Sequence, residues 1–382
     1  MRHFRASLCL TAALLPISGE ASADTQASLD VAARASASDN PLLSPESDTG
    51  ALMGEIRVEP SLVRETPTTS VRLLGSLTQR YYSRLYDSAT YGRAELMTAA
   101  RLSERLSVSG SARHSRSLAA DSYEDVDAAI DPRSLRIGTS ANLGAQLQVS
   151  ERSSLTGNAY VERNRFDDTE ILRGYDAFGG GVGYMRALSE RLGVGAQAQT
   201  SFQEYADSSN SRVISFGGTA QYKVDQFTTL SGELGAEWVS LGGFDLAESE
   251  DINRVQLGGD VSLCRRRLRM NMCVNAQLGS QATGVGRLQR SASIGTTFTY
   301  QASERTNYTA GINYSRTSDI LSGTEASLNY FSARAAVDRD LSQSLRLGGF
   351  AQYRHRSGFA NASGVIAGVE LRWNWGRNNG RD

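Results

Sequence analysis

The stretch Ala187-Leu-Ser-Glu-Arg-Leu192, continued by Gly193-Val-Gly-Ala-Gln-Ala-Gln-Thr-Ser-Phe202, carries the two signals from which the fold is read. The first is a short polar turn. The second is alternation: Leu192, Val194, Ala196, Ala198 and Phe202 fall on one phase, Gly193, Gly195, Gln197, Gln199 and Gln203 on the other. A period of two describes an extended strand with one apolar and one polar face. About ten such residues is the length a strand needs to cross a bilayer at a tilt of about 45°.

Both signals recur. The turn returns as Arg101-Leu-Ser-Glu-Arg-Leu106, Val149-Ser-Glu-Arg-Ser153 and Ala302-Ser-Glu-Arg-Thr306. Looser copies are Val224-Asp-Gln-Phe227, Leu263-Cys-Arg-Arg-Arg267 and Leu341-Ser-Gln-Ser-Leu345. Aligning Ser103, Ser150, Ser189, Asp225, Cys264, Ser303 and Ser342 gives spacings of 47, 39, 36, 39, 39 and 39 residues. A near-constant period means one supersecondary unit used repeatedly. Alternation returns at Leu106, Val108, Gly110 and Ala112, at Leu268 through Leu278, and at Val365 through Trp375. A propeller blade would divide about 40 residues among four strands near six residues long. Two long strands per repeat are instead the hairpins of a membrane barrel.

Composition agrees. The chain has 382 residues with 37 Gly and 15 Tyr, and from Thr68 onward Pro132 is its only proline. Proline is excluded from sheet interiors because it cannot donate to the ladder, while abundant Gly and Tyr disfavour helix. No run after residue 20 approaches the roughly 18 apolar residues of a membrane helix. The mean hydropathy of -0.35 is what alternating lipid-facing and lumen-facing positions average to. The balance of 40 Lys and Arg against 41 Asp and Glu excludes a dedicated nucleic-acid binder.

The expected organisation is a signal peptide over residues 1–23, with Arg2 and Arg5 ahead of an apolar core and cleavage after Ala23. A disordered periplasmic leader rich in Ala, Ser and Asp follows over 24–53. Residues 54–375 form an all-β, antiparallel, up-and-down transmembrane barrel, and 376–382 a polar tail. Counting from Ser70 gives sixteen strands within a range of fourteen to eighteen, with both termini periplasmic. Residues 55–64 also look strand-like, but including them alone would make the number odd. The Ser-Glu-Arg turns are assigned to the periplasm and the longer connections, including the one holding Pro132, to the outside. Phe166, Tyr205, Trp238, Tyr314 and Tyr353 are read as an upper aromatic belt. Tyr222, Phe227, Tyr300, Tyr308 and Trp375 make the lower one.

A barrel of this size leaves a water-filled lumen. Its inward phase holds Arg113, Glu162, Glu233, Glu237, Arg269, Arg346, Arg354, Glu370 and Arg372. Such mixed charge suits passive passage of polar solutes with little preference for sign, and no connection is long enough to build a plug. No cofactor, metal or catalytic group is expected: beyond the signal only His114 and His355 remain, too few for a multi-histidine centre. His355-Arg356-Ser357 with Glu370 resembles the pattern of outer-membrane lipid A deacylases, yet His355 and Glu370 fall on opposite phases and Gly358 replaces that family's Asn. Cys264 and Cys273 stand about 20 Å apart if the turn is 265–267, beyond disulfide reach. A slipped turn would join them, so this pairing stays open.

The chain resembles the β-barrel porins of Gram-negative bacteria associated with exopolysaccharide production and export. The likeness lies in the post-signal leader, the opening Glu59-Pro60-Ser61-Leu62-Val63-Arg64, the pair Tyr81-Tyr82 and the Ser-Glu-Arg turns. It covers nearly the whole mature chain. It implies an outer-membrane channel for poly- or oligosaccharide, meeting outer-membrane lipid, the barrel-insertion machinery and polysaccharide-export components. A non-conducting scaffold barrel of an envelope or export complex is the alternative, and a lipid hydrolase the third reading. One departure is the end of the chain, where the aromatic Trp375 is followed by 376–382.

Overall fold

The computed structural model describes residues 24–45, 50–84, 88–118, 134–167, 172–206, 210–242, 252–283, 287–320, 327–358 and 361–376. They form one closed antiparallel barrel of eighteen strands. The first six are β1 (Asp24–Ser38), β2 (Ala51–Glu65), β3 (Thr69–Tyr82), β4 (Ala89–Arg101), β5 (Leu106–Leu118) and β6 (Leu135–Ser150). Next come β7 (Ser153–Asp167), β8 (Tyr175–Ala187), β9 (Leu192–Tyr205), β10 (Asn210–Lys223), β11 (Thr228–Gly242) and β12 (Ile252–Arg267). The last are β13 (Met270–Thr283), β14 (Arg287–Ser303), β15 (Thr306–Asp319), β16 (Leu328–Asp340), β17 (Leu345–Ser357) and β18 (Ala362–Trp375). Each strand pairs with its neighbours in sequence, and β1 pairs with β18 to shut the wall. Eighteen strands stand at the upper limit of the expected range.

Both added strands lie at the N-terminus. Asp24–Ser38 is not a disordered leader but the closing strand, paired with β2 throughout and with β18 from Leu29 to Ser38. Its outward phase is Leu29, Val31, Ala33, Ala35 and Ala37, a stripe so weakly apolar that composition reads as linker. Two waiting edges order it: without β1 the backbones of β2 and β18 would have unpaired groups inside the membrane. The strand-like segment 55–64 belongs to β2, and counting both strands restores an even number. Pro60, which cannot donate, falls where the β2–β3 ladder misses two rows between Val58–Leu77 and Ser61–Leu74. The signal segment 1–23, Pro132 and residues 377–382 lie outside the described residues.

The repeated serine has a physical role. Ser103 Oγ accepts hydrogen bonds from the amides of Arg105 (3.2 Å) and Leu106 (3.1 Å). Ser189 accepts in the same way from Arg191 and Leu192, and Ser342 from Ser344 and Leu345. A side-chain acceptor two and three residues ahead of the amides closes a tight turn that the ladder alone leaves open. Asp225 substitutes for serine in the β10–β11 turn. The amide of Phe227 at 2.7 Å, with help from Thr228, holds its carboxyl below the usual carboxylate range.

Outward positions of the strands are exposed and apolar, as in Leu77, Val182, Leu234, Val255 and Ile312, which suits a hydrocarbon surround. The lower aromatic belt is found as expected, with Tyr222, Phe227, Tyr300, Tyr308 and Trp375 exposed. Of the upper belt, Trp238, Tyr314 and Tyr353 face outward, whereas Tyr205 and Phe166 pack inside with Tyr175. Their phase is inward, so strand height alone misassigns them.

Cys264 and Cys273 form a disulfide, their Cα atoms 4.1 Å apart on directly opposed rows. The basic run 265–267 continues β12, and the turn is only Leu268-Arg269, so the 20 Å separation based on a turn at 265–267 does not apply. Arg269 therefore lies in the turn rather than on the lumen wall.

Deleting residues 24–38 should abolish the slow-migrating folded form in unheated gel electrophoresis, whereas a disordered leader would be dispensable. Because the Asp225 carboxyl titrates below its unfolded value, its stabilisation is present above a pH of about 4 and is lost as pH falls through the folded value. Asp225→Ser should remove that part of the acid dependence of thermal unfolding.

Candidate functional site: the channel lumen and its outer mouth

Pairing and phase place Ser, Thr, Asn, Gln, Arg, Asp and Glu along the inside of the wall, as a barrel with an aqueous interior requires. The lumen is narrowed at its outer end. Two pieces of chain fold into it, contrary to the expectation that no connection is long enough to do so.

The first is the start of the β1–β2 connection. Asn40, Pro41, Leu42 and Leu43 are buried against the inner faces of β16, β17 and β18. Arg354 is fully buried beneath them and donates to the carbonyls of Asn40 (3.2 Å) and Pro41 (2.9 Å). Leu43, at a positive φ of 49°, packs on Tyr330 and Ala362. The amide of Val365 donates to Asp39 at 2.7 Å. Gly364 permits the approach, since a Cβ there would lie 2.7 Å from the Asn40 carbonyl oxygen. Arg354 thus faces inward as expected, but it anchors a loop rather than lining open water.

The second is an arm made by the outer ends of β13, β14 and β15. The β12–β13 ladder stops at Gly259–Leu278, although β13 and β14 stay paired out to Thr283–Arg287. Beyond that tear the arm tilts inward and its lipid-phase residues meet the lumen-phase residues of β10 and β11. Glu237 accepts from Gln256 Nε2 (2.8 Å), the Ser280 amide (3.0 Å) and Ser280 Oγ (2.8 Å). Above it Leu288 and Ile320 pack with Val213, Val239 and Leu241, joined by Ala282 and Ile252. Ala282 also touches the cluster of Tyr175, Ala177 and Tyr205. Arg254 donates to the Ile320 carbonyl at 2.5 Å. Fully burying each large aliphatic contributes about 1.5–3 kcal/mol, and a hydrogen bond to the Glu237 carboxylate about as much at most, so both contacts hold the arm.

Charge is distributed unevenly around the wall. On β7 to β12 the lumen-phase carboxylates have mostly neutral partners: Gln197 donates to Glu233, Gln256 and Ser280 to Glu237, and Asn164 to Glu162. Arg136 is 3.6 Å from Glu162, and Arg113 borders the same small cavity of about 200 Å³. On β1 to β3 and β16 to β18 arginines dominate. Arg80 binds Glu55 at 2.8 Å, Arg57 binds Glu370 at 3.2 Å, Arg372 binds Glu370 at 2.8 Å, and Arg346 binds Asp340 at 2.6 Å. Tyr91 also donates to Glu55. Of the nine expected lumen residues, Arg346, Glu370 and Arg372 meet on this wall, while Arg113, Glu162, Glu233 and Glu237 sit across from it. Arg34, Glu55 and Arg57 escaped sequence reading because β1 and β2 were outside the counted strands. The alternation of Glu55, Arg57 and Glu59 with Ile56 and Val58 was the available signal.

His355 and Glu370 lie on opposite sides of the wall and seven rows apart, His355 opposite Ser363 and Glu370 opposite Gly348. They form no catalytic pair. Among the described residues no three His, Cys, Asp or Glu side chains converge on a metal site.

No family model matches the chain, and no curated protein does. Solved structures do resemble it in fold. The FrpB iron transporter of Neisseria meningitidis (F5-1 variant) is 7% identical over 92% of this chain and 83% of its own, with a TM-score of 0.50. OpdO of Pseudomonas aeruginosa is 12% identical over 92% and 97%, at 0.49. OccK2 (OpdF) of Pseudomonas aeruginosa, solved in complex with glucuronate, is 10% identical over 92% and 98%, at 0.49. At these identities the likeness is one of fold alone, that of an outer-membrane β-barrel.

Proposed function

We propose that the protein is a passive channel of the Gram-negative outer membrane for small polar solutes. The observation that carries this reading is a closed wall with an apolar exterior and a hydrophilic, charge-segregated interior. The infolded loop and arm narrow the outer mouth and so limit the size of what passes. A cavity of about 310 Å³ between the arm and β6–β11, bordered by Glu162, Gln199, Glu237 and Gln281, is on the scale of a small solute. The cargo that the sequence resemblance implies, poly- or oligosaccharide, is compatible with the amide- and hydroxyl-rich wall. An infolded mouth favours short chains over a polymer. Lipid would meet the apolar belt, and the insertion machinery would receive β18 as the last strand. A scaffold role through a free leader loses its basis, because Asp24–Ser38 is built into the wall.

Planar-bilayer recording tests the proposal: the purified barrel should give discrete conductance steps, and a folded barrel that inserts silently would refute it. Leu288→Ala should weaken docking of the arm by about 2–5 kcal/mol and raise the unitary conductance. Glu237→Gln, which keeps an acceptor, should raise it less.

A further inference from the structure

A band of charge lies on the lipid face of β5 to β10, near the outer rim. Arg163 and Arg165 on β7 share the outward phase of the exposed Val161. Arg116 on β5 stands in the same row as Arg165, with Ile137 between them. Arg212 on β10 shares the outward phase of Phe216 and lies over the Phe202 ring, 5.0 Å from its centroid. Asp176 and Glu204 complete the band, Asp176 opposite both Arg163 and Glu204 in the register. Asp176 takes Arg163 at 2.9 Å and Arg165 at 3.1 Å. Among the described residues neither Arg116 nor Arg212 has a carboxylate in ion-pairing range, and Glu204 has no cation. Four guanidiniums against two carboxylates leave a surplus of positive charge.

Apolar surface lies directly below this band. Val161, Phe178 and Phe202 share one row, the two rings stacked 5.2 Å apart, and Val182 follows toward the middle of the membrane. An arginine on the lipid face costs about 2–4 kcal/mol at the bilayer midplane but about 0–1 kcal/mol near its surface, so the band marks headgroup height. On β11, β15 and β17 the outer part of the lipid face holds Trp238, Tyr314 and Tyr353 instead, an ordinary aromatic belt. Guanidiniums bind phosphate in bidentate fashion, and stacking on Phe202 leaves the N–H edge of Arg212 free. The matching ligand has phosphate at headgroup height and acyl chains beneath it. An acidic protein would have to displace lipid from Phe178 and Phe202 to reach the same arginines.

We propose that Arg116, Arg163, Arg165 and Arg212, above the Phe178–Phe202 pair, form a docking surface for the phosphorylated, acylated glycolipid of the outer leaflet. Asp176 holds Arg163 and Arg165 side by side, and the acyl chains lie over Val161, Phe178 and Val182. The surface is on the outside of the wall. It needs only a barrel set in the outer membrane and is independent of whether the lumen conducts.

The test titrates the detergent-solubilised, fluorescently labelled full-length barrel with lipid A and with lipid A stripped of its phosphates, binding being read by thermophoresis. Wild type should hold lipid A about tenfold or more tighter than the stripped form, as expected for charge-assisted hydrogen bonds to phosphate. Combining Arg165→Gln with Arg212→Gln should remove most of that preference. The corresponding pair of lysines should keep part of it, because an ammonium retains the charge but lacks the fork. Arg265→Gln with Arg267→Gln is the control: these arginines continue the lipid phase of Leu263 at the opposite rim, and their loss should leave the preference in place. Unheated electrophoresis confirms that each variant is folded. Equal affinity of wild type for the two forms of lipid A, a comparison that needs no variant, would overturn the docking surface. So would a preference that survives in the Arg165 and Arg212 glutamine pair, or one lost equally in the control pair.

Discussion

Backbone pairing in a solvent without water is the constraint on which this structure depends. Inside a bilayer every N–H and C=O needs a protein partner, so a sheet that spans it must close on itself. That requirement explains why a segment as plain as Asp24–Ser38 is a strand: two edges wait for it, and it carries the complementary backbone. It explains the placement of Pro60 where the ladder is interrupted, and the parity that keeps the start of β1 and the end of β18 on one side.

At the outer end of the β12–β13 seam the rule is relaxed, and there the barrel acquires its outer narrowing. At Gly259 and Leu278 the wall tears, and the freed arm exchanges ladder bonds with β12 for the Glu237 hydrogen bonds and an apolar cluster. Residues on the lipid phase of β13 and β14, Ala282 and Leu288, become interior without any change in alternation. Below the tear the Cys264–Cys273 disulfide crosses the same β12–β13 seam. The covalent link and the shortened ladder thus share one strand pair.

Much of the architecture was legible because its signals are local. The Ser-Glu-Arg motif recurs since its hydroxyl accepts from turn amides, two at Ser103 and Ser189 and one at Ser150 and Ser303. Alternation is legible because the two sides of each strand meet different solvents. The lumen phase of Arg113, Glu162, Glu233, Glu237, Arg346, Glu370 and Arg372 follows from the same parity. Arg269 was misplaced because the β12–β13 turn is two residues long and lies further along the chain than its arginine run suggests. Tyr205 and Phe166 were misplaced because an aromatic at a strand end serves a belt or an interior cluster equally well by sequence.

The sequence by itself therefore determined the strands, their faces, their turns and the class of barrel, all of which depend on residues adjacent or one repeat apart. Only the tertiary structure decided how many strands close the wall, which arginines keep a carboxylate, and that the mouth is folded in. Those outcomes depend on partners far apart in the chain: Ala33 beside Leu371, Arg354 beneath Asn40, Arg34 on Phe350, Glu237 holding Ser280. Parity says which side of the wall a residue faces, but not what reaches it from across the lumen.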